Sequence, residues 1–186
     1  ADFDSAPSGS LSADCDAETY WKLMEVLCSI STELHFVDPY FDPLRRDRRP
    51  VFERILQEIG SKPQIKRVVF WIRHAEVAKG LNHFGDRINK DALRSALRNG
   101  LPKDKKHATV SLRFVQDESS KDKFHARYLV TNKGGVIFDQ GFQVLPGRRC
   151  LVAAMSSAMK DEKFAWLSAG PRDISVEEEV EFKAAL

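Results

Sequence analysis

The chain has 186 residues, of which 42% are hydrophobic and 30% charged, and its formal net charge is +2 at pH 7. This length fits one domain with a substantial core, and so small a net charge does not by itself indicate a nucleic-acid or membrane partner. No apolar run approaches the roughly 18 residues of a membrane span. The three cysteines lack metal-ligand spacing, which favours reduced thiols in a cytoplasmic protein.

Residues 1–13 predict a flexible lead-in, because Ser, Asp, Gly and Pro are frequent there. We expect residues 14–186 to form a single domain. Because the chain begins with Ala1 rather than Met, we also expect it to be part of a longer protein with further domains. Asp14 or Asp16 is placed to cap the first helix. Its apolar side chains recur at core-facing spacing, at Tyr20, Trp21, Leu23, Met24, Leu27 and Cys28.

The rest of the chain alternates strands and helices. A strand at 34–37 leads into a rigid loop with two prolines, and the unbroken apolar strand at 68–72 suits a sheet that is covered on both faces. The remaining patterns predict a helix at 51–59, a helix at 91–100, a strand at 110–115, a hairpin within 124–142, a strand at 150–155 and a helix at 157–167. This order predicts an α/β fold with a mixed, mainly parallel sheet, flanked by helices on both faces. The acidic tail around Glu177-Glu178-Glu179 has no clear pattern.

Polar and aromatic residues follow the ends of the predicted strands, where sheets of this class bind ligands. Tyr40 and Phe41 lie in the loop after the first strand, and Arg73-His74 follow the apolar strand directly. Between them lies a cluster of four arginines, Arg45, Arg46, Arg48 and Arg49. These side chains are suited to contact a nucleic-acid backbone and base, although a solvated loop also explains the cluster when it is taken alone.

The hairpin consists of two apolar strands joined by Asn132-Lys133-Gly134-Gly135, a sequence typical of a tight turn. His125, Arg127 and Leu129 share one face of its first strand, because side chains alternate along a strand. An imidazole beside a guanidinium is suited to bind phosphate. The alternative is a surface hairpin whose polar face carries these two residues.

Two segments resemble the phospholipase D superfamily. One is Asp38-Pro39-Tyr40-Phe41, which is similar to the Pro-Tyr-Phe strand exit of that family. The other is the hairpin, where His125 and Arg127 resemble the His-x-Lys pair of the family with arginine in place of lysine. Asn132 stands where the family has Asp, and Gly141-Phe142 stands near the family's Gly-Ser.

The resemblance, which spans about residues 30–145, implies a metal-independent phosphodiesterase that uses no cofactor. In the family one histidine attacks phosphorus, a second protonates the leaving alcohol, and lysines hold the phosphoryl oxygens. This implies that His125 is the nucleophile, that Arg127 binds phosphate, and that Asn132 completes the catalytic set. Because the chain has one such motif, the resemblance also implies a site formed across the two-fold axis of a homodimer. From the residues alone, Asn132 also fits a simple turn role.

Two functions are compatible with these expectations. The first is a phosphodiesterase, in particular a nuclease that acts on DNA or RNA. The second is a catalytically inactive phospholipase D-like module that binds nucleic acid or anionic phospholipid headgroups. The replacements at Arg127, Asn132 and Phe142 favour the second function, whereas the retention of His125 together with a cation favours the first.

Overall fold

The structure, a computed structural model, describes residues 9–74, 83–84, 87–101, 108–116, 126–172 and 174–183. Ten strands and four helices form within these ranges. In chain order they are β1 (Leu11–Asp14), α1 (Ala17–Ile30), β2 (Glu33–Val37), α2 (Arg49–Gly60), β3 (Arg67–Arg73), β4 (His83–Phe84), β5 (Arg87–Ile88), α3 (Lys90–Gly100), β6 (Thr109–Val115), β7 (Tyr128–Thr131), β8 (Gly135–Phe138), β9 (Arg149–Ala154), α4 (Ser157–Ser168) and β10 (Val176–Lys183).

Eight of the described strands form one sheet in the order β1-β9-β8-β7-β2-β3-β6-β10, and β4 pairs with β5 separately. Within the large sheet only β2–β3 and β3–β6 are parallel pairs, and the other neighbours are antiparallel. The mixed α/β class is therefore confirmed, whereas the mainly parallel sheet is wrong. Parallel pairing is limited to the strands joined through α2 and α3, since parallel neighbours need a long crossover and hairpin neighbours do not.

Helices cover both faces of the sheet. Apolar residues of α1, α2 and α3 form the larger core with one face, where the rings of Phe36 and Phe70 are stacked with centroids 4.8 Å apart. The opposite face packs around Val37 and Trp71, and Leu167 of α4 belongs to this smaller core. In the part of the chain that the structure describes, no helix combines the length and apolar character needed to cross a bilayer.

Most predicted elements form with bounds that differ by one or two residues. Of the two candidate caps of α1, Asp16 is the one used, because its Oδ1 accepts the N–H of Thr19 at 2.8 Å. Two segments differ from expectation. Residues 11–13 of the predicted lead-in belong to β1, which pairs with β9. The acidic tail forms β10, whose Val180 is buried against β6 while Glu179 faces Arg113.

Candidate functional site

The ends of three neighbouring strands meet at one edge of the sheet. The N–H of Asp38 donates to the carbonyl of Trp71 at 3.2 Å, and the N–H of Arg73 donates to the carbonyl of Pro39 at 3.1 Å. The loop after β2 is thus joined to the end of β3. Tyr128, the first residue of β7, is paired with the last residue of β2. Arg127, the residue before β7, therefore lies at the same edge as the ends of β2 and β3.

Two guanidinium groups at this edge lie against one aromatic ring. The Cζ atom of Arg73 is 5.3 Å from the ring centroid of Tyr40, and that of Arg127 is 4.9 Å from it. Arg73 is buried, Tyr40 is half-buried, and 30% of the Arg127 side chain is exposed. A cation over an aromatic face gains about 0.5–2 kcal/mol. The ring therefore helps to hold two positive charges near a surface that a ligand can reach.

Arg127 is fixed in place by its neighbours. Its Nη1 donates to the backbone carbonyl of Asp139, and its Nε lies 3.9 Å from Oδ1 of Asp38. A guanidinium has five N–H donors in a rigid plane, and among the described residues this is the one hydrogen bond that Arg127 makes through them. The remaining donors can bind an anion such as a phosphate, for which arginine geometry is well suited.

Asp38 lies beneath Arg127 and is 3% exposed. Its Oδ1 accepts the N–H of Tyr40 at 3.0 Å, and its Oδ2 accepts the N–H of Phe142 at 3.0 Å. Burial raises the pKa of Asp38, while the two N–H donors and the charges of Arg127 and Arg48 oppose that shift. One carboxyl group thus connects the loop after β2 with the segment after β8 and lies beside the partly exposed Arg127.

Gly141 allows the backbone to approach this carboxyl group. Its φ is +68°, and a Cβ atom there would lie 2.4 Å from Oδ2 of Asp38 and 2.6 Å from Cδ of Arg127. The next residue, Phe142, is 1% exposed and packs against Phe36 and Phe138. The Gly141-Phe142 segment therefore contributes a backbone donor and core packing, and it has no side-chain hydroxyl to offer.

Besides Arg73, two further expected ligand contacts are buried. Phe41 is 1% exposed and packs against the rings of Phe70 and Phe52, so it belongs to the core and is not a surface contact. Arg48 is 6% exposed, occupies the N-cap position of α2, and pairs through Nη1 with the carboxylate of Asp47. The sequence could not distinguish these residues from their exposed neighbours, because both stand in a loop without periodicity.

The other three arginines of the cluster are exposed. Nε of Arg45 donates to Asp47 at 2.9 Å, and Nε of Arg49 donates to Glu53 at 2.7 Å. Arg46 has no ion-pair partner among the described residues. A backbone hydrogen bond connects this loop to the site, because the carbonyl of Asp47 accepts the N–H of Val144, which follows Phe142 closely in the chain.

Asn132 lies at the opposite end of the hairpin. Its Oδ1 accepts the N–H of Thr32, the residue before β2, at 3.1 Å. Five positions of extended chain separate it from Arg127, which corresponds to about 17 Å at roughly 3.3 Å per residue. This position does not fit the catalytic role expected of Asn132. The side chain instead connects the β7–β8 turn to the start of β2.

His74 faces the acidic strand β10. Its Nδ1 is 3.0 Å from Oε2 of Glu177, and its Nε2 is 3.9 Å from Oε1 of Glu178. Lys90 approaches the same Glu178 at 3.3 Å. His74 therefore pairs with a strand that the sequence pattern did not predict, through Glu177 and Glu178. His125, the expected nucleophile, lies outside the described residues.

Two residues that shape this site, Asp38 and Gly141, belong to the segments that resemble the phospholipase D superfamily but were not predicted as site residues. A carboxylate directly after a buried apolar strand was a usable signal for Asp38, because a charge at that point must find partners. Nothing in the sequence marks the contact between Gly141 and Asp38, since they are distant along the chain. Within the described ranges, no group of three or more His, Cys, Asp or Glu side chains is arranged to hold a metal ion.

Comparison with known proteins gives no family. The chain matches no protein-family model and no curated protein. Among solved structures it is similar to TrmBL2, which is described as an archaeal chromatin protein with a novel mode of DNA binding. That likeness has a TM-score of 0.39 and 9% sequence identity, and it covers 90% of this chain and 55% of that chain. The chain thus spans about half of that protein, and a likeness this distant supports no inference about function.

Proposed function

We propose that this chain is a phospholipase D-like phosphodiesterase that acts on nucleic acid. The observation that carries the proposal is the convergence of Arg73 and Arg127 on the ring of Tyr40 at one edge of the sheet. In this proposal the partly exposed Arg127 contacts the phosphoryl oxygens through paired N–H donors. The buried Arg73, whose Cζ atom lies 5.3 Å from the centroid of the same ring, adds positive charge behind it.

His125 is the proposed nucleophile. It precedes Arg127 by two positions, which is the His-x-cation spacing on which the resemblance to the phospholipase D superfamily depends. In the reaction an imidazole nitrogen attacks phosphorus, and the bond from phosphorus to the leaving oxygen breaks. A second imidazole donates a proton to that oxygen and becomes neutral. It then takes a proton from the water that attacks the phosphohistidine, which breaks the P–N bond, releases the phosphate monoester and frees His125. In a C2 homodimer the second copy of the chain supplies that second imidazole.

Nucleic acid is the preferred substrate because of what surrounds the site. The exposed Arg45 and Arg46 lie in the loop before α2, and the exposed Arg49 begins that helix. The loop is joined by a backbone hydrogen bond to the segment after Phe142, and a chain of phosphates can contact such a surface beyond the first phosphate. The large exposed apolar side chains of the described residues lie on β1, α1, α4 and β10, at Leu11, Val26, Ile30, Met159 and Val176. None of these belongs to the loop after β2, so the loop lacks a surface for insertion into lipid.

The second candidate function is binding of nucleic acid without turnover. Two observations favour it: Asn132 lies at the far end of the hairpin, and Phe142 is buried where the family has a hydroxyl. Both candidates use the same arginines, and they differ in whether His125 performs chemistry.

A cleavage assay in EDTA separates these candidates. We expect the unmodified chain to cleave single-stranded DNA or RNA, and His125→Ala and Arg127→Ala to reduce the rate by at least 100-fold. Arg94→Ala is the matched control, because Arg94 is an exposed arginine on α3 whose partner is Asp91. It should cleave at the rate of the unmodified chain.

The other outcomes have defined meanings. Salt-dependent binding without cleavage contradicts the phosphodiesterase and supports the binding module. Cleavage that survives His125→Ala rules out the proposed nucleophile. A purely monomeric active chain, measured by light scattering during turnover, contradicts the shared dimer site. If the chain neither binds nor cleaves nucleic acid, both candidate functions are contradicted.

A further inference from the structure

We propose that Asp38 is a positioning residue for the phosphate site, whose buried carboxyl group fixes Arg127 and the Tyr40 loop and, through its own ionisation, sets the positive charge offered to an anion. This inference rests on the proposed function in one respect, since it takes Arg127 to be the phosphate ligand. Asp38 itself does not contact the ligand in this arrangement.

Both oxygens of Asp38 are used to join separate parts of the site. Oδ1 accepts the N–H of Tyr40, whose ring lies against the guanidinium groups of Arg127 and Arg73. Oδ2 accepts the N–H of Phe142. A buried carboxyl group with two backbone donors has little freedom to turn, because any rotation leaves an N–H without an acceptor at a cost of about 1–3 kcal/mol. The positions of the Tyr40 loop and of the Phe142 segment therefore depend on this side chain, and the ring of Tyr40 in turn contacts Arg127.

The close approach at Gly141 supports the same conclusion. A Cβ atom at this position would overlap both Oδ2 of Asp38 and Cδ of Arg127, at 2.4 and 2.6 Å. The backbone of Gly141, the carboxyl group of Asp38 and the stem of Arg127 are therefore packed together without spare room. A shift of any one of them displaces the other two.

The charge of Asp38 acts directly on Arg127. The charged groups that affect it are Arg127 at 3.9 Å and Arg48 of the loop before α2, together with the N–H groups of Tyr40 and Phe142. As a carboxylate, Asp38 offsets part of the positive charge of Arg127. As a neutral acid it leaves that charge available to a ligand. Because burial raises the pKa of Asp38, the change between these two states occurs above the usual range of an aspartate.

The test uses sulfate as the probe, because its charge is constant over the working pH range. Nitrogen NMR follows the arginine Nε–H groups of the full chain in a His125→Ala background, which removes the titratable imidazole two positions before Arg127 in the sequence. We expect sulfate to bind at least fivefold more weakly at pH 8 than at pH 4.5. With Asp38→Asn added, which is neutral at every pH, that difference should fall below twofold.

A second measurement does not depend on whether Asp38→Asn folds. Binding and protonation are reciprocally linked, so saturating sulfate must raise the pKa of Asp38 in the otherwise unmodified protein, measured from its carboxyl carbon shift. An Asp38 pKa that is the same with and without sulfate overturns this inference alone. Failure of sulfate or an oligonucleotide to shift the Arg127 resonance at any pH overturns the inference and the proposed function together.

Discussion

The carboxylate of Asp38 accepts the backbone N–H of Phe142 at 3.0 Å, across 104 positions of sequence. This bond joins the loop after β2 to the segment that follows β8. It also explains why Arg127, whose Nε lies 3.9 Å from the other oxygen, has a defined position at the edge of the sheet. The arrangement depends on backbone as much as on side chains, and several substitutions can test it.

Gly141→Ala should disrupt the site. The new methyl group would meet Asp38 and Arg127 at distances that real Cβ atoms do not adopt, and the φ of +68° adds backbone strain. We expect a loss of more than about 2 kcal/mol in the free energy of unfolding, and at least tenfold weaker oligonucleotide binding in the fraction that folds. Chemical denaturation and fluorescence polarisation measure the two effects.

Gly147→Ala is the matched control for this substitution. Gly147 has a similar φ of +72°, but nothing lies within 4 Å of the position of its Cβ atom. It should share the backbone strain, about 1 kcal/mol, and leave binding unchanged. Equal effects of the two substitutions on binding would show that the contact with Asp38 and Arg127 is irrelevant.

Asn132→Ala should affect stability and not binding. The substitution removes the acceptor of the Thr32 N–H, for which a cost of about 1 kcal/mol is expected. The site at the other end of β7 should retain its geometry, so cleavage and oligonucleotide affinity should stay within twofold of the unmodified chain. A loss of activity in folded protein that exceeds tenfold would restore the catalytic role that the motif suggests.

His35 should make the stability of the fold depend on pH. The side chain is fully buried, its Nδ1 accepts the Nε1–H of Trp71 at 3.1 Å, and its Nε2 lies 2.9 Å from Oε1 of Glu33. Burial lowers the pKa of His35, although Glu33 opposes the shift. The unfolded chain therefore binds a proton near pH 6.5 that the folded chain resists. The contribution of the neutral, buried His35 to the free energy of unfolding is present above about pH 6.5 and is lost as the pH falls through the pKa of His35 in the folded chain.

Urea denaturation at several pH values between 7.5 and 5 measures this contribution. The free energy of unfolding should decrease over that interval in the unmodified chain. In His35→Gln, which cannot titrate, the decrease should be smaller. Parallel pH profiles for the two proteins would show that the burial of His35 has no linkage to folding.

The sequence was most informative where local periodicity determines structure. The apolar face of α2 and the unbroken run of β3 predicted elements that form within two residues of the expected bounds, because burial of these faces dominates their stability. The turn at Asn132 was also recognised from its residue types. These predictions needed only neighbours along the chain.

The sequence was least informative about pairing between distant segments. The acidic β10 was missed because Glu177-Glu178-Glu179 interrupts the alternation of its apolar residues, and its pairing with β6 depends on partners such as Arg113. The direction of the sheet was also misjudged, since β7, β8 and β9 follow one another without helices and pair antiparallel. In the site, the burial of Phe41 and the role of Asp38 depend on contacts that no local pattern encodes.

The most direct test of the central claim is the affinity of Arg127→Ala for a fluorescent single-stranded oligonucleotide, with Arg94→Ala as the matched control. Loss of a charge-assisted contact with phosphate costs about 1.5–3 kcal/mol, which corresponds to a dissociation constant roughly 10- to 150-fold larger. We predict a loss in this range for Arg127→Ala at low salt, with a shallower dependence on salt. Equal affinity and equal salt dependence for Arg127→Ala, Arg94→Ala and the unmodified chain would contradict a phosphate site at Arg127.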